Sequence, residues 1–144
     1  MPSSQNSSEP GPPPIEVAAG LVFRNGKLLL TQRYLEAHQG GLWEFPGGKR
    51  EPGESFEHCL QRELREELGI EVEVQEPVES ILHPYPEKTV VLKFFRCAWI
   101  RNEPQALGCL AFRWVTLQEL AQYEFPPADA RLLNKLKTTP GLWR

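Results

Sequence analysis

The hydrophobic and polar positions divide most of the chain into short strands separated by turns. Apolar or alternating runs predict five strands, over residues 15–24, 27–33, 70–74, 89–100 and 111–115, and a short apolar piece over residues 43–45. Asn25-Gly26 is a strong hairpin signal between the first two strands. Residues 70–74 alternate with glutamate, as expected for an edge strand.

Three further segments have the periodicity or the end signals of helices. Residues 55–68 predict a helix with a leucine stripe, and Gly69 follows as its C-cap. Thr116–Glu119 forms a capping box that opens a short helix. A last helix is predicted from Pro126-Pro127 to about Lys137. Its inward-facing side chains are Leu132, Leu133 and Leu136. Strands and helices are mixed without regular alternation, which predicts one α/β domain with a mixed sheet between helices.

The first fourteen residues have a different composition from the rest. They hold five of the 14 prolines together with four serines, and no large apolar residue follows Met1. Such a segment has too little apolar surface to fold, so a disordered tail is expected over residues 1–14 and one domain over residues 15–144. The tail lacks the pattern of a secretion signal, and no stretch approaches the roughly 18 apolar residues of a membrane helix.

Charge and cysteine content narrow the class of protein. The formal net charge is −3, which argues against a nucleic-acid polymer as partner because such binders carry a cationic surface. The three cysteines are odd in number and have no metal-type spacing. They are expected to be reduced thiols, which indicates a cytoplasmic protein.

Three carboxylates on the first helix break the usual rules of helix stability. Glu63, Glu66 and Glu67 are spaced i, i+3, i+4, so like charges share one face in the last turns. The helix dipole favours cations there, not anions. A divalent cation such as Mg²⁺ would account for the cluster, since it prefers oxygen ligands. Arg62 and Arg65 lie within the cluster and are candidates to orient the carboxylates. The alternative is a solvated Glu/Arg helix face.

Together with the preceding loop, these residues match a known signature. Gly48, Glu54 and the run Arg62-Glu63-Leu64-Arg65-Glu66-Glu67-Leu68-Gly69-Ile70 resemble the Nudix box at every defined position. Residues 15–137 look like the MutT-type branch of this family. The other matching segments are Thr31-Gln32-Arg33, Trp43-Glu-Phe-Pro-Gly-Gly48, Trp114-Val115 and Phe125-Pro-Pro-Ala-Asp129. The resemblance implies a Nudix-type α/β/α sandwich, single domain, with a mixed β-sheet.

The resemblance also implies an activity and a set of metal ligands. MutT-type enzymes hydrolyse nucleoside triphosphates to a monophosphate and pyrophosphate, using Mg²⁺ or Mn²⁺. The implied metal ligands are the Gly47 carbonyl and the carboxylates of Glu63, Glu66 and Glu67. By the same pattern, Arg62 would hold Glu63, and Glu54 would act on the metal or on bound water.

Other positions that match the family are expected to contact the nucleotide. Lys49 would contact phosphate, and Arg33 and Phe45 would line the nucleoside pocket. Asp129 stands where several relatives have Asn, and an ionised Asp only accepts hydrogen bonds. It could therefore accept from an exocyclic amine, as in cytosine or adenine, or be protonated when buried. The alternatives are a surface cation for Arg33 and a helix N-terminal charge for Asp129.

One position departs from the family pattern. Gly108 stands where MutT-type enzymes carry a loop glutamate, so Glu54, Glu66 or Glu103 compensates or turnover is slower. The expected function is nucleoside triphosphate hydrolysis, with sanitation of oxidised nucleotides such as 8-oxo-dGTP as a candidate role. The alternatives are hydrolysis of another diphosphate-linked nucleoside and a non-catalytic nucleotide-binding module. A monomer or homodimer acting on a small-molecule nucleotide is expected.

Overall fold

The computed structural model describes residues 12–144, which form a mixed sheet with helices on both faces. The strands are β1 (Ile15–Arg24), β2 (Lys27–Gln32), β3 (Trp43–Glu44), β4 (Gly47–Lys49), β5 (Glu71–Pro84), β6 (Thr89–Arg101) and β7 (Ala111–Val115). The α-helices are α1 (Phe56–Leu68) and α2 (Ala130–Thr138). Short 3₁₀ helices span Leu120–Gln122, Pro127–Asp129 and Pro140–Trp143. Most of the predicted tail, residues 1–11, lies outside the described residues.

The sheet is mixed, as the sequence predicts. Its main path runs β3-β2-β1-β6-β5, with β4 paired to β1 and β7 paired to β2. β1 and β6 are parallel, whereas every other pairing is antiparallel. The single-domain α/β/α prediction is confirmed, because α1 and α2 pack against opposite faces of this sheet.

β1 explains why both faces have a core. Its alternate side chains Leu21 and Phe23 join the α2-side core, while Ala18 and Val22 join the α1-side core. A strand covered on both faces has no solvent-facing positions, which accounts for its uninterrupted apolar run. The α1-side core is completed by the buried stripe of that helix, formed by Cys59, Leu60, Leu64 and Leu68.

β5 is much longer than the predicted strand over residues 70–74. It continues to Pro84 along β6, with register irregularities between Val74 and Pro77 and between Pro77 and Glu79. Proline lacks a backbone donor, and an edge strand tolerates it at irregularities of this kind. The edge position was predicted correctly, but local sequence could not reveal a strand that its partner extends.

The last helix begins later than predicted. Pro127–Asp129 forms a 3₁₀ turn, and α2 starts at Ala130. Leu132 and Leu136 are fully buried, whereas Leu133 is only partly buried. The Thr116 capping box forms both of its reciprocal hydrogen bonds, at 2.8 and 3.2 Å, but it precedes only a short 3₁₀ turn.

The Gly47–Lys49 segment is a paired strand and not the flexible loop that the sequence suggested. It runs antiparallel to β1, with Gly48 opposite Ala18. A Cβ on Gly47 would lie 2.0 Å from the Ala18 carbonyl oxygen, so only glycine allows this approach. The pairing holds the backbone next to α1 in a fixed position.

The thiol prediction agrees with the described chain. Cys59, Cys97 and Cys109 are all free and buried. No helix within residues 12–144 has the length and apolar character needed to cross a membrane.

We predict that Leu64→Ala destabilises the protein by about 2–5 kcal/mol, because it leaves a cavity in the α1-side core. Leu35→Ala is the matched control, since Leu35 is 70% exposed, and its effect should stay within about 0.5 kcal/mol. Urea denaturation measures the free energy of unfolding of both variants. Equal effects of the two substitutions would contradict this account of the core.

Candidate active site

The loop that leads into α1 is fastened at both of its ends. The Ser55 side chain accepts from the His58 backbone N–H at 3.0 Å, which caps the helix N-terminus. Arg50 donates to the Glu54 carbonyl at 2.7 Å and pairs with Glu16 on β1. These contacts fix the direction of α1 relative to β1 and β4.

Arg62 connects the loop to the helix carboxylates. Its Nε and Nη2 donate to the two Glu54 carboxylate oxygens at 2.7 and 3.0 Å. Its Nη1 lies 3.1 Å from Glu63 and 3.3 Å from Glu66, and Nη2 donates to the Lys49 carbonyl at 3.2 Å. Hydrogen bonding from Arg62 lowers the pKa of Glu54 to about 2, so Glu54 is ionised.

Glu63 lies directly against the glycine strand. A Cβ on Gly48 would lie 2.2 Å from the Glu63 carboxyl carbon, so the absence of a side chain at Gly48 makes room for this carboxylate. Partial burial raises the pKa of Glu63, and the adjacent Arg62 guanidinium opposes that shift.

Glu67 is the most perturbed carboxylate of the helix. Burial raises its pKa to about 8, the Glu44 and Glu63 carboxylates add to the rise, and the Gly47 N–H opposes it. Its Oε1 is buried without a hydrogen-bond partner. A buried acceptor without a donor is costly, and such groups mark sites where a ligand completes the bonding.

These carboxylates provide a suitable donor set for a hard cation. Their oxygens are the ligand type that Mg²⁺ and Mn²⁺ prefer, and the unpartnered Oε1 of Glu67 is free to coordinate. Within residues 12–144, no three histidine, cysteine or carboxylate side chains are already gathered around a single metal position. The oxygen donors suit a cation in kind, while the Glu63 carboxylate is bonded to Arg62 at 3.1 Å.

A cleft of about 240 Å³ lies on the α2 face of the sheet. All four residues predicted to contact the nucleotide line it, namely Arg33, Phe45, Lys49 and Asp129. Gly47 and Gly48 form its wall on the side of α1. Gly48 also lies against the Glu63 carboxylate, so the cleft adjoins the carboxylate helix through the glycine strand. A larger groove of about 500 Å³ lies elsewhere.

Asp129 lines the cleft and is 7% exposed. Its side chain makes no capping hydrogen bond at the start of α2, although a carboxylate in that position can still interact with the helix dipole. Burial raises its pKa to about 6, and the nearby Glu44 carboxylate adds to the rise. The site therefore contains a carboxyl group that can exchange a proton near neutral pH.

Sequence reasoning missed Glu44. It lines the cleft, and its carboxylate lies close enough to influence the protonation of both Glu67 and Asp129. Burial raises the pKa of Glu44, whereas the Arg33 guanidinium at 2.8 Å lowers it. The available signal was a charged residue between two aromatic residues of a short strand.

Of three other residues considered from sequence, Arg65 and Glu103 pair outside the cluster and Gly108 contacts it only through the backbone. Arg65 turns toward β5 and pairs with Glu71 at 3.2 Å. Glu103 pairs with Arg24 at 2.9 Å, so it does not take the place of the missing loop glutamate. The Gly108 N–H donates to the Glu67 carbonyl at 3.0 Å, so the loop meets the helix through its backbone.

The NUDIX domain model matches residues 18–135, which is most of the chain. The chain belongs to the Nudix family. This Nudix hydrolase is 44% identical over 120 residues to a CTP pyrophosphohydrolase of Escherichia coli, covering 83% of this chain and 89% of that relative. It is 32% identical over 124 residues to an Escherichia coli 8-oxo-dGTP diphosphatase, covering 85% of this chain and 96% of the relative.

Solved structures agree with this assignment. The E. coli ORF135 protein superimposes with a TM-score of 0.76 at 41% identity, covering 87% of this chain and 91% of that chain. A MutT protein from Methanosarcina mazei has the same TM-score, 0.76, at 25% identity, with coverages of 90% and 96%. The Nudix hydrolase therefore has MutT-like relatives in both sequence and fold.

We predict that the metal-free protein loses stability as pH rises from about 5 to 8. The folded pKa of Glu67, about 8, lies above its ordinary value of 4.5. The contribution of Glu67 to the free energy of unfolding is therefore fully present below the unfolded-state pKa. It is lost as pH rises through the folded-state pKa. The slope contributed by this one group is at most about 1.4 kcal/mol per pH unit.

The measurement is urea denaturation in EDTA at several pH values. Glu67→Gln should flatten the profile, whereas Glu66→Gln, a change at an exposed position of the same helix, should leave it steep. Parallel profiles for the wild type and Glu67→Gln would contradict the assignment.

Proposed function

We propose that the protein is a metal-dependent nucleoside triphosphate pyrophosphohydrolase, which releases a nucleoside monophosphate and pyrophosphate. The observation that carries this proposal is the shared cleft. One end has the glycine strand and Lys49, which suit phosphates, and the Glu63 carboxylate, which suits a cation, lies against Gly48 of that strand. The other end has Phe45 and the buried Asp129, which suit a base.

The site residues form two groups. One group would bind the cation, and the other positions the residues that bind it. The Gly47 carbonyl and the carboxylates of Glu63, Glu66 and Glu67 would bind Mg²⁺, with Mn²⁺ as a substitute. When bound, the cation neutralises phosphate oxygens and activates water for attack. Glu54 fixes the Arg62 guanidinium through hydrogen bonds of 2.7 and 3.0 Å. Arg62 in turn keeps Glu63 in place through its Nη1.

Lys49 is placed to meet the triphosphate. Its side chain is exposed and lines the cleft next to Gly48. A flexible ammonium group can follow a phosphate chain as a point charge, which needs no fixed geometry. Arg33 has a different role, since its guanidinium is bonded to Glu44 at 2.8 Å and to the His38 carbonyl at 2.7 Å. It organises the base end of the cleft.

The carboxylates at the nucleobase end of the cleft favour a nucleobase with an exocyclic amine. Asp129 and Glu44 both line the cleft, and carboxylates accept hydrogen bonds from amino groups. Cytosine and adenine present such a group, whereas uracil presents a carbonyl at the equivalent position. The 44% identity to a relative named CTP pyrophosphohydrolase supports cytosine as the first choice.

Sanitation of an oxidised guanine nucleotide, as part of DNA repair, is the second candidate. Relatives named 8-oxo-dGTP diphosphatase support it, at 32% and 39% identity over 124 residues. The pKa of Asp129, raised to about 6 by burial, gives it a protonated form that donates to a carbonyl. A panel of nucleotides distinguishes these candidates, and adding nucleotide sugars to the panel tests hydrolysis of other diphosphate-linked compounds.

We predict that Glu67→Gln lowers kcat by about 10²-fold or more, because the amide cannot replace a carboxylate that holds the cation. The melting temperature should stay the same or rise, since Glu67, whose pKa is raised to about 8, must take up a proton on folding and the amide need not. Glu57→Gln is the matched control, because Glu57 is exposed on the same helix.

The assay is pyrophosphate release from a nucleotide panel with Mg²⁺. If the wild type releases no pyrophosphate from any nucleotide, the proposed reaction is wrong. If it also cleaves no nucleotide sugar, the remaining alternative is the non-catalytic nucleotide-binding module. Full turnover by Glu67→Gln would refute the ligand assignment.

We predict that Asp129→Asn reduces the preference for CTP over UTP by about 10-fold or more in kcat/KM, because the amide also donates to the uracil carbonyl. Glu124→Gln is the control, being an exposed acidic position in the preceding segment. An unchanged CTP-to-UTP ratio would show that Asp129 does not read the base edge.

A further inference from the structure

The segment that follows α2 lies beyond the family match but belongs to the core. The NUDIX match ends at residue 135, whereas the 3₁₀ turn Pro140–Trp143 comes after it. Trp143 is only 6% exposed and joins the core cluster on the α2 face. Its ring meets Phe23 of β1 edge-on, with the ring centroids 5.4 Å apart. An aromatic side chain buried in this way contributes to packing as much as a residue of the family fold does.

Trp143 also makes a polar contact with the end of α2. Its indole Nε1 donates to the Leu136 carbonyl at 3.1 Å, and Leu136 is fully buried in the last turn of the helix. Carbonyl groups in the last turn have no partner within the helix, so this bond satisfies one of them. The indole therefore joins the C-terminal end of α2 to β1.

Arg96 holds the same segment to the sheet. From its place on β6, its Nε donates to the Leu142 carbonyl at 3.1 Å, and another nitrogen donates to the Arg144 carbonyl. Its Nη1 donates to the Gln75 side chain of β5 at 2.6 Å. The guanidinium also lies over the Phe23 ring, 5.3 Å from the centroid. One side chain thus ties the segment to three strands.

The other end of α2 begins at Asp129, the acidic residue of the cleft. No side-chain capping bond holds that carboxylate, so its position depends on how α2 as a whole is packed. Leu132 and Leu136 supply the buried contacts of the helix. On its flank, Arg131 pairs with Glu79 at 2.5 Å and Lys135 donates to the Val78 carbonyl at 2.5 Å. A nine-residue helix moves as a rigid unit, so loosening one end displaces the other.

We infer that Trp143 and Arg96 are positioning residues for base selectivity: they fix α2 and, through it, the Asp129 carboxylate. Neither residue lines the cleft, so neither touches the nucleotide. The inference rests on the proposed function in one respect, namely that the Asp129 end of the cleft receives the base.

The experiment separates helix order from base selectivity and does not depend on turnover. Hydrogen–deuterium exchange reports the order of the α2 amides, and titration calorimetry gives Kd for CMP and UMP. The variants are Trp143→Phe, which keeps a ring but removes the N–H donor, and Arg96→Leu. Arg101→Leu is the control, since Arg101 is an exposed residue of the same strand.

We expect the ratio of UMP Kd to CMP Kd to fall by about 5-fold in both variants, which corresponds to one lost hydrogen bond of about 1 kcal/mol. The α2 amides should exchange faster. The Mg²⁺ Kd from titration calorimetry should stay unchanged, because α1 packs on the opposite face of the sheet. The control should match the wild type in every readout.

Several results would overturn the inference. An unchanged Kd ratio together with faster α2 exchange would mean that the segment only stabilises the fold. Unchanged exchange would mean that it does not hold α2, and equal binding of CMP and UMP by the wild type would mean that there is no selectivity to position. Failure of the proposed function is a separate result, absence of pyrophosphate release by the wild type, and it leaves these binding measurements valid.

Discussion

The arrangement of the active site depends on the hydrogen bonds that the Arg62 guanidinium donates. A helix that gathers three glutamates near its C-terminal end is unstable by itself, because like charges repel and the dipole opposes them. Arg62 offsets this by donating to Glu54, Glu63 and Glu66 from one planar group. A planar fork of five donors can serve several carboxylates at once, which the single ammonium of a lysine cannot do.

The glycine strand is the second half of the same arrangement. Gly47 and Gly48 allow β4 to lie against β1 and the Glu63 carboxylate to lie against β4, at distances that no side chain would permit. The consequence is that the helix carboxylates and the cleft share one wall. Under the proposed function, phosphates and a cation would bind at neighbouring positions, as hydrolysis of a phosphate chain requires.

The two ends of the cleft have different sources of rigidity. The phosphate end is fixed by hydrogen bonds among charged groups within one loop and one helix. The base end is fixed by packing, since Asp129 has no capping bond and relies on the buried face of α2 and on Trp143. Changes in packing can therefore alter selectivity at the base end while the carboxylate helix keeps its arrangement.

Much of this protein was determined locally by its sequence. The helix over Phe56–Leu68, the Gly69 cap, the hairpin at Asn25-Gly26 and the run of box residues follow from spacing and turn chemistry, which act between near neighbours. Arg33, Phe45, Lys49 and Asp129, which resemblance to a family predicted to contact the nucleotide, line one cleft with Gly47 and Gly48, and their roles stay predictions.

Only the tertiary structure decided the features that join distant segments. The extension of β5 depends on pairing with β6, the strand character of Gly47–Lys49 depends on β1, and the part played by Glu44 depends on its proximity to Glu67 and Asp129. Burial of Trp143 depends on Phe23, which lies far away in the chain. Burial and pKa shifts are set by groups that meet through folding, so no local pattern in the sequence specifies them.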